Sequence, residues 1–104
     1  MAGTHPLQGH PDGPELKKQA GIYVRQLREA AGLTQQELAR AVGMDYYTTV
    51  SQIERGVTRV PPDKMMDFAI ALKAEPAEFG RRLLFFYDPY MFALLFKKPK
   101  DAAP

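Results

Sequence analysis

The 104-residue chain contains no cysteine and only two histidines. The lack of cysteine excludes a disulfide framework, a thiolate zinc site and a cysteine nucleophile, and it fits a cytoplasmic protein. His5 and His10 both lie in the glycine- and proline-rich N-terminal stretch, where we expect no metal site. No glycine-rich phosphate loop follows a strand, and the acidic residues are dispersed as helix caps and surface pairs. We therefore predict a protein that is not an enzyme and holds no cofactor or metal.

The chain also lacks a long uninterrupted apolar run. The longest one, "LLFFYDPYMFALLF", is broken by Asp88 and Pro89. Each half is shorter than the ~20 residues that a membrane-spanning helix needs. The N-terminal stretch "MAGTHPLQGHPDGP" has no basic start followed by an apolar segment, so we expect neither a signal peptide nor a membrane partner. The net charge of +2 and the pI near 9.0 are compatible with nucleic-acid binding without being diagnostic of it.

What the chain does contain is helical periodicity. Apolar residues recur at spacings of three and four, and no segment alternates for long enough to form a strand, which predicts an all-α fold. The predicted order is a disordered arm over residues 1–13, a five-helix domain over 14–87, a short aromatic helix over 88–96, and a flexible basic tail over 97–104. Within the domain, the predicted helices cover about 14–31, 34–42, 46–55, 62–72 and 76–87.

Local signals mark the ends of the first three helices. Each is followed by a glycine, the residue that most easily adopts the left-handed conformation after a helix: Gly32, Gly43 and Gly56. Thr34 and Glu37 predict a capping box at the start of the second helix. Asp45 is the predicted N-cap of the third. The residues expected to face inward on these helices are Ala20, Tyr23, Val24, Leu27, Ala30, Ala31, Leu33, Leu38, Ala41, Val42, Val50 and Ile53.

The second and third helices are separated by a tight turn over residues 43–45, and Ala39 is small where the two would cross. This is the geometry of a helix-turn-helix. The stretches "LREAAGLTQQELARAVG" and "VSQIERG" resemble the Cro/C1-type (XRE-type) helix-turn-helix domain, which has a lambda-repressor-like fold, over residues 22–79. The resemblance implies a regulator that binds double-stranded DNA. A helical bundle that uses the same fold only to bind protein is the alternative.

The resemblance also implies roles for individual residues. It places base contacts on the third helix, at Tyr47, Thr48, Ser51 and Gln52. Thr34, Gln35 and Arg59 match positions that contact the DNA backbone, and Arg28 and Glu54 match a structural ion pair. From their residue types we add further residues that could contact the DNA backbone: Arg25, Tyr46, Thr49 and Arg55. The alternative is that these side chains are solvated at the surface or pack beneath the helix.

One departure from the family pattern lies in the turn. The family has six residues of spacing from the turn glycine to the apolar residue of "V-S-x-I-E-x-G", whereas Gly43 and Val50 are seven apart. One residue is therefore inserted beside the two tyrosines, Tyr46 and Tyr47. The resemblance guides the assignment from Val50 onward and leaves the register of residues 45–47 open by one position.

Seven of the eleven aromatic residues fall within residues 79–96. A single small core can hardly cover them all, and an uncovered apolar patch marks an interface. We expect a homodimer interface made of Phe79, Leu83, Phe86, Tyr87, Tyr90, Phe92, Leu95 and Phe96. The alternative is that the sixth helix folds back onto its own chain.

These features together predict a cytoplasmic regulator, nucleoid-associated when bound, that occupies a pseudo-palindromic operator as a dimer. Repression is the simplest mechanism for a chain with no effector domain. Two alternatives stay open. One is the antitoxin of a toxin–antitoxin pair, with the aromatic C-terminus covering a partner protein. The other is an activator that contacts RNA polymerase.

Overall fold

The computed structural model describes residues 13–96, and all regular secondary structure in that range is helical. The helices are α1 (Gly13–Ala30), α2 (Gln35–Ala41), α3 (Tyr47–Glu54), α4 (Met65–Ala71), α5 (Pro76–Tyr87) and α6 (Pro89–Phe96), with one 3₁₀ turn (Pro62–Lys64) before α4. The prediction of an all-α fold with an extra C-terminal helix is confirmed. The predicted basic tail and all of the predicted arm except Gly13, which begins α1, lie outside the described residues.

The local signals at the helix ends also hold. Gly32, Gly43 and Gly56 adopt φ angles of 76°, 74° and 78°. The backbone would be strained at these angles in a residue with a side chain. The capping box is present: Glu37 N–H donates to Thr34 Oγ1 over 3.0 Å, and Thr34 N–H donates to Glu37 Oε1 over 2.9 Å. These contacts set where α2 begins and where each of the first three helices ends.

The start of α3 differs from its prediction. Tyr46, in an extended conformation, is the N-cap instead of Asp45, and no side chain caps the helix. The inserted residue explains the difference, because the longer turn leaves Asp45 one position ahead of the cap. The turn is closed by Met44 N–H donating to the Ala39 carbonyl over 2.8 Å.

A single core fills the space between the five helices of the domain. Its largest fully buried side chains include Leu16, Leu38, Ile53, Phe68, Phe79 and Leu83. Two predicted inward residues, Ala30 and Ala41, are exposed, whereas Ala39 and Leu16 are buried. On α1 the buried stripe extends one turn further towards the N-terminus and ends before Ala30, and on α2 Ala39 takes the inward place predicted for Ala41. Within residues 13–96, no helix is long and apolar enough to cross a membrane.

Helices α1 and α3 pack closely where α1 crosses the end of α3. A Cβ placed on Gly21 would lie 2.6 Å from the carbonyl carbon of Glu54 and 2.7 Å from the carbonyl oxygen of Ile53. Both are backbone atoms, which cannot rotate away as a side chain can. Gly21 therefore allows α3 to lie directly against α1, and this contact sets the position of α3 relative to the core.

We expect Gly21→Ala to lower the free energy of unfolding by about 3 kcal/mol, since the added methyl group forces α1 away from α3. Gly80→Ala in α5 is the matched control, because a Cβ there meets nothing within 4 Å. That control should raise stability by up to about 1 kcal/mol, as alanine suits a helix interior better than glycine. Urea unfolding followed by circular dichroism measures both, and equal effects would contradict the close packing at Gly21.

Candidate nucleic-acid interface

An ion pair buried at the junction of α1, α2 and α3 positions the third helix. Arg28 Nε donates to Glu54 Oε2 over 2.6 Å, and Arg28 Nη2 donates to Glu54 Oε1 over 3.1 Å. Gln35 Nε2 donates to the same Oε1 over 3.0 Å, and Arg28 Nη1 donates to the Leu33 carbonyl over 2.7 Å. The Glu54 side chain is only 3% exposed. One carboxylate therefore joins the last turn of α1, the first residue of α2 and the last residue of α3.

The chemistry of this junction keeps Arg28 charged. Its hydrogen bond to Glu54 raises the pKa of the guanidinium, although burial acts in the opposite direction. A bidentate pair between a planar guanidinium and a carboxylate also restricts orientation more than a single contact does. Gln35, which is predicted to contact the DNA backbone, thus also supports α3, the helix that is predicted to contact bases.

The outer face of α3 carries polar side chains that the rest of the molecule leaves free. Val50 and Ile53 are fully buried and point into the core. The four predicted base-contacting residues are exposed or half-buried, and within residues 13–96 their side chains have no hydrogen-bond or ion-pair partner: Tyr47, Thr48, Ser51 and Gln52. They follow one another at helical spacing, so they form one continuous face. We call this the recognition face.

Two tyrosines stand at the head of the recognition face. Tyr46 is 72% exposed and Tyr47 is 51% exposed, so neither packs beneath the helix. They border an open cleft of about 450 Å³ between α2 and α3, whose other walls include Arg40 and Asp45. Because Tyr46 is the N-cap of α3, it lies at the N-terminal end of the recognition face.

The three predicted backbone-contacting arginines occupy different surroundings. Arg25 forms an exposed ion pair with Glu29 over 3.1 Å. Arg55, the C-cap of α3, is exposed, and its side chain has no partner among the described residues. Arg59 donates from Nη2 to the Tyr87 carbonyl, and its guanidinium lies 4.8 Å from the centre of the Tyr87 ring. Sequence patterns gave no signal for this last contact, which ties the segment after α3 to the end of α5.

The proposed dimer residues separate into two groups. Phe79 and Leu83 are 1% and 0% exposed in the core of their own chain, so their assignment to an interface was wrong. The four-residue spacing that placed them on one side of α5 identified the core side. Tyr87 accepts a hydrogen bond at its hydroxyl from Val60 N–H over 3.1 Å, and burial raises the pKa of its phenol. Phe86 packs against Tyr23 within the chain.

The second group lies on α6. Its Phe92 ring packs against Phe85 of α5, in line with the alternative that α6 folds back onto its own chain. Phe96 packs against Phe92 and remains 48% exposed. The opposite side of α6 is exposed and entirely apolar apart from the tyrosine hydroxyl: Tyr90, Met91, Leu94 and Leu95. We call these four residues the α6 stripe. Met91 and Leu94 were missed because an all-apolar helix has no periodicity from which to choose its outer side.

A family model described as a helix-turn-helix domain matches residues 19–81, which include α2, the turn and α3. The crystal structure of the restriction-modification controller protein C.AhdI from Aeromonas hydrophila is also similar. It shares 38% sequence identity with a TM-score of 0.54, and the match covers 62% of this chain and 96% of the controller chain. No curated protein matches the chain.

The buried ion pair leads to a stability prediction with an internal control. Glu54→Ala leaves the buried Arg28 charge without its carboxylate and should cost roughly 3–5 kcal/mol of unfolding free energy. Glu29→Ala removes the partner of Arg25 in an exposed pair, which should cost less than about 0.5 kcal/mol. Chemical unfolding of both variants tests this. Similar losses in the two would mean that the buried pair does not hold the three helices together.

Proposed function

The chain belongs to the helix-turn-helix family of Cro/C1-type (XRE-type) DNA-binding transcriptional regulators, and we propose that it acts as a dimeric, sequence-specific repressor. The observation that carries this proposal is the recognition face. A helix held firmly by buried contacts on one side presents unpaired polar side chains on the other. Such an arrangement suits insertion into the major groove, where base edges supply the missing hydrogen-bond partners.

In this proposal the recognition face contacts base edges. Gln52 can pair bidentately with an adenine, and the methyl groups of Thr48 and Thr49 can meet a thymine methyl. Tyr46 and Tyr47 contact a sugar, a phosphate or a thymine methyl from the head of α3. Both are exposed enough to do so without rearrangement.

Backbone contacts hold the helix in register. Thr34 and Gln35 lie at the start of α2, where free backbone N–H groups and the helix dipole favour a phosphate. Arg25, Arg55 and Arg59 supply further charge. Arg25 would exchange its exposed partner Glu29 for a phosphate at little cost, since such pairs contribute little in water. These contacts add affinity and salt dependence without sequence information.

Dimerisation through α6 completes the proposal. A helix that is apolar on every side is stable in water only when it is covered. Its own α5 covers the Phe92 side, and a second copy would cover the α6 stripe. Two-fold symmetry then predicts a pseudo-palindromic operator with half-sites about one helical turn, ~34–36 Å, apart. A dimer bound at such a site within a promoter would exclude polymerase by occupancy.

The likeness to C.AhdI supports a second candidate, a controller of a restriction–modification system. Chromatin immunoprecipitation with sequencing distinguishes the two. Discrete sites beside restriction or methyltransferase genes favour the controller, and discrete sites at unrelated promoters favour the general repressor. An absence of discrete sites would contradict both.

Base contact by Gln52 has a specific consequence. Gln52→Ala should reduce the preference at one base pair of the operator by ~1–3 kcal/mol while leaving the affinity for unrelated duplexes unchanged. Competition binding with a set of single-base operator variants measures this preference. Gln26→Ala, an exposed glutamine on α1, is the control and should change neither quantity. An equal loss on every duplex from Gln52→Ala would refute its role in base recognition.

The dimer proposal is tested by charging the α6 stripe. Leu94 is 78% exposed, so Leu94→Glu should leave the folded protomer intact and convert the dimer to a monomer. Ile70→Glu on α4 changes a similarly exposed apolar residue, 66% exposed, outside the stripe and should leave the dimer unchanged. Size-exclusion chromatography with light scattering reports the mass of each. A wild-type monomer at tens of micromolar, or a dimer that survives Leu94→Glu, would overturn the assignment.

A further inference from the structure

An open cleft of about 580 Å³ lies between the first turns of α1, the turn after α3 and the end of α5. Its walls contain three basic side chains, Lys17, Lys18 and Arg59, beside the rings of Phe86 and Tyr87. None of the sequence motifs drew attention to the two lysines. Of the clefts beside α3, this one concentrates positive charge, which indicates an anionic occupant.

The cleft begins where the recognition face ends. Arg55 follows Ser51 by four residues and Gln52 by three, so it extends that face by one turn. Gly56 comes next and packs against the backbone of α1: a Cβ on Gly56 would lie 2.8 Å from Lys18 Cα and 2.9 Å from Lys18 N. The position of Lys18 relative to α3 is therefore set by backbone contact and not by a flexible side chain.

Residues 13–96 do not neutralise the charges of the two lysines in the cleft. Within the part of the chain that the structure describes, Lys17 and Lys18 form no ion pair or hydrogen bond through their side chains. Glu54, the acidic residue nearest the end of α3, is already paired with Arg28. Glu15 lies nearby on α1 and has an interaction of its own. The ammonium groups of the two lysines are thus available to a ligand.

Arg59 is held in place before any ligand arrives. Its Nη2 donates to the Tyr87 carbonyl, and its plane lies over the Tyr87 ring. Nε and Nη1 have no acceptor among residues 13–96. A guanidinium oriented in this way loses little conformational freedom when it binds an oxygen acceptor.

From these observations we propose that the cleft of Lys17, Lys18 and Arg59 is a phosphate-binding site that takes a DNA backbone phosphate just beyond the bases contacted by α3. The inference rests on the proposed DNA-binding function, because the recognition face brings the DNA backbone to this end of the helix. The ammonium groups supply point charges, and the arginine supplies directed N–H donors. The rings of Phe86 and Tyr87 provide an apolar wall against which a deoxyribose can pack.

With this site, the protein would contact DNA phosphates at two separate points. The start of α2, with Thr34 and Gln35, offers one phosphate contact, and the cleft beyond Gly56 offers the other. Two anchors at separate points restrict the rotation of α3 in the groove, which a single anchor does not. The lysines would thereby support base recognition without contacting a base.

The test compares salt dependence of binding among four forms of the full chain. These are the wild type, Lys17→Gln/Lys18→Gln, Lys17→Arg/Lys18→Arg, and Lys73→Gln. Lys73 is an exposed lysine after α4 that lines neither this cleft nor the one at the head of α3. Fluorescence anisotropy with an operator duplex and a scrambled duplex, over a range of salt, gives each affinity and its slope. Circular dichroism checks that all four forms are folded.

We expect the double glutamine variant to flatten the slope of log affinity against log salt by one to two units, as each phosphate contact contributes about 0.9. Both duplexes should be weakened alike, whereas the arginine variant and Lys73→Gln should keep the wild-type slope. A wild-type slope in the glutamine variant would overturn the cleft proposal alone. A wild type that binds no duplex would overturn the proposed function itself.

A second experiment distinguishes binding of a DNA phosphate from binding of a free phosphate compound. Inorganic phosphate is titrated into the protein without DNA and followed by calorimetry. Weak or absent binding of phosphate, together with the flattened DNA slope, supports the backbone anchor. Saturable phosphate binding that is lost in the double glutamine variant, with an unchanged DNA slope, would assign the cleft to a free phosphate compound and overturn the proposal.

Discussion

The carboxylate of Glu54 is the interaction on which the arrangement of the other parts depends. It accepts hydrogen bonds from Arg28 of α1 and Gln35 of α2 while belonging to the last residue of α3. The pair need not add much net stability, because burying two charges costs about as much as their attraction returns. What it provides is orientation, since directional contacts are lost when α3 rotates. Gly21 adds a second constraint by bringing the backbones of α1 and α3 together.

Because contacts on its inner side hold α3 in place, its outer face can be polar without loss of stability. Val50 and Ile53 supply its core contacts, so the residues between them are free to vary. The inserted residue in the turn has a local effect: it makes Tyr46 the N-cap and leaves two aromatic rings exposed at the head of the helix. The specificity proposed for this chain therefore depends on a region where it departs from the common family pattern.

Tyr87 connects the segment after α3 with the C-terminal part of the molecule. Its hydroxyl accepts from Val60 N–H, its carbonyl accepts from Arg59, and its ring lies beneath the Arg59 guanidinium. One residue later the chain turns at Asp88 into α6. Tyr87 therefore links the segment after α3 to the residue that precedes the turn into α6. The same contacts also form one wall of the cleft that we propose to bind phosphate.

The sequence by itself determined the helices, most of their ends, the helix-turn-helix and the family, because these depend on local signals. A glycine at positive φ, the Thr34–Glu37 capping box and apolar spacing act over a few residues, and each is legible without the rest of the chain. Composition also revealed that residues 79–96 hold too many aromatic residues, but it could not tell core from surface. Phe79 is buried in the core and Leu94 is exposed, although both are large and apolar. Only the tertiary structure determined which of these residues are buried. It also determined the contact between Arg59 and Tyr87 and the position of Lys18 beside Gly56. These residues meet because helices cross at particular angles and distances, and the crossing is set jointly by side chains from α1, α2, α3 and α5.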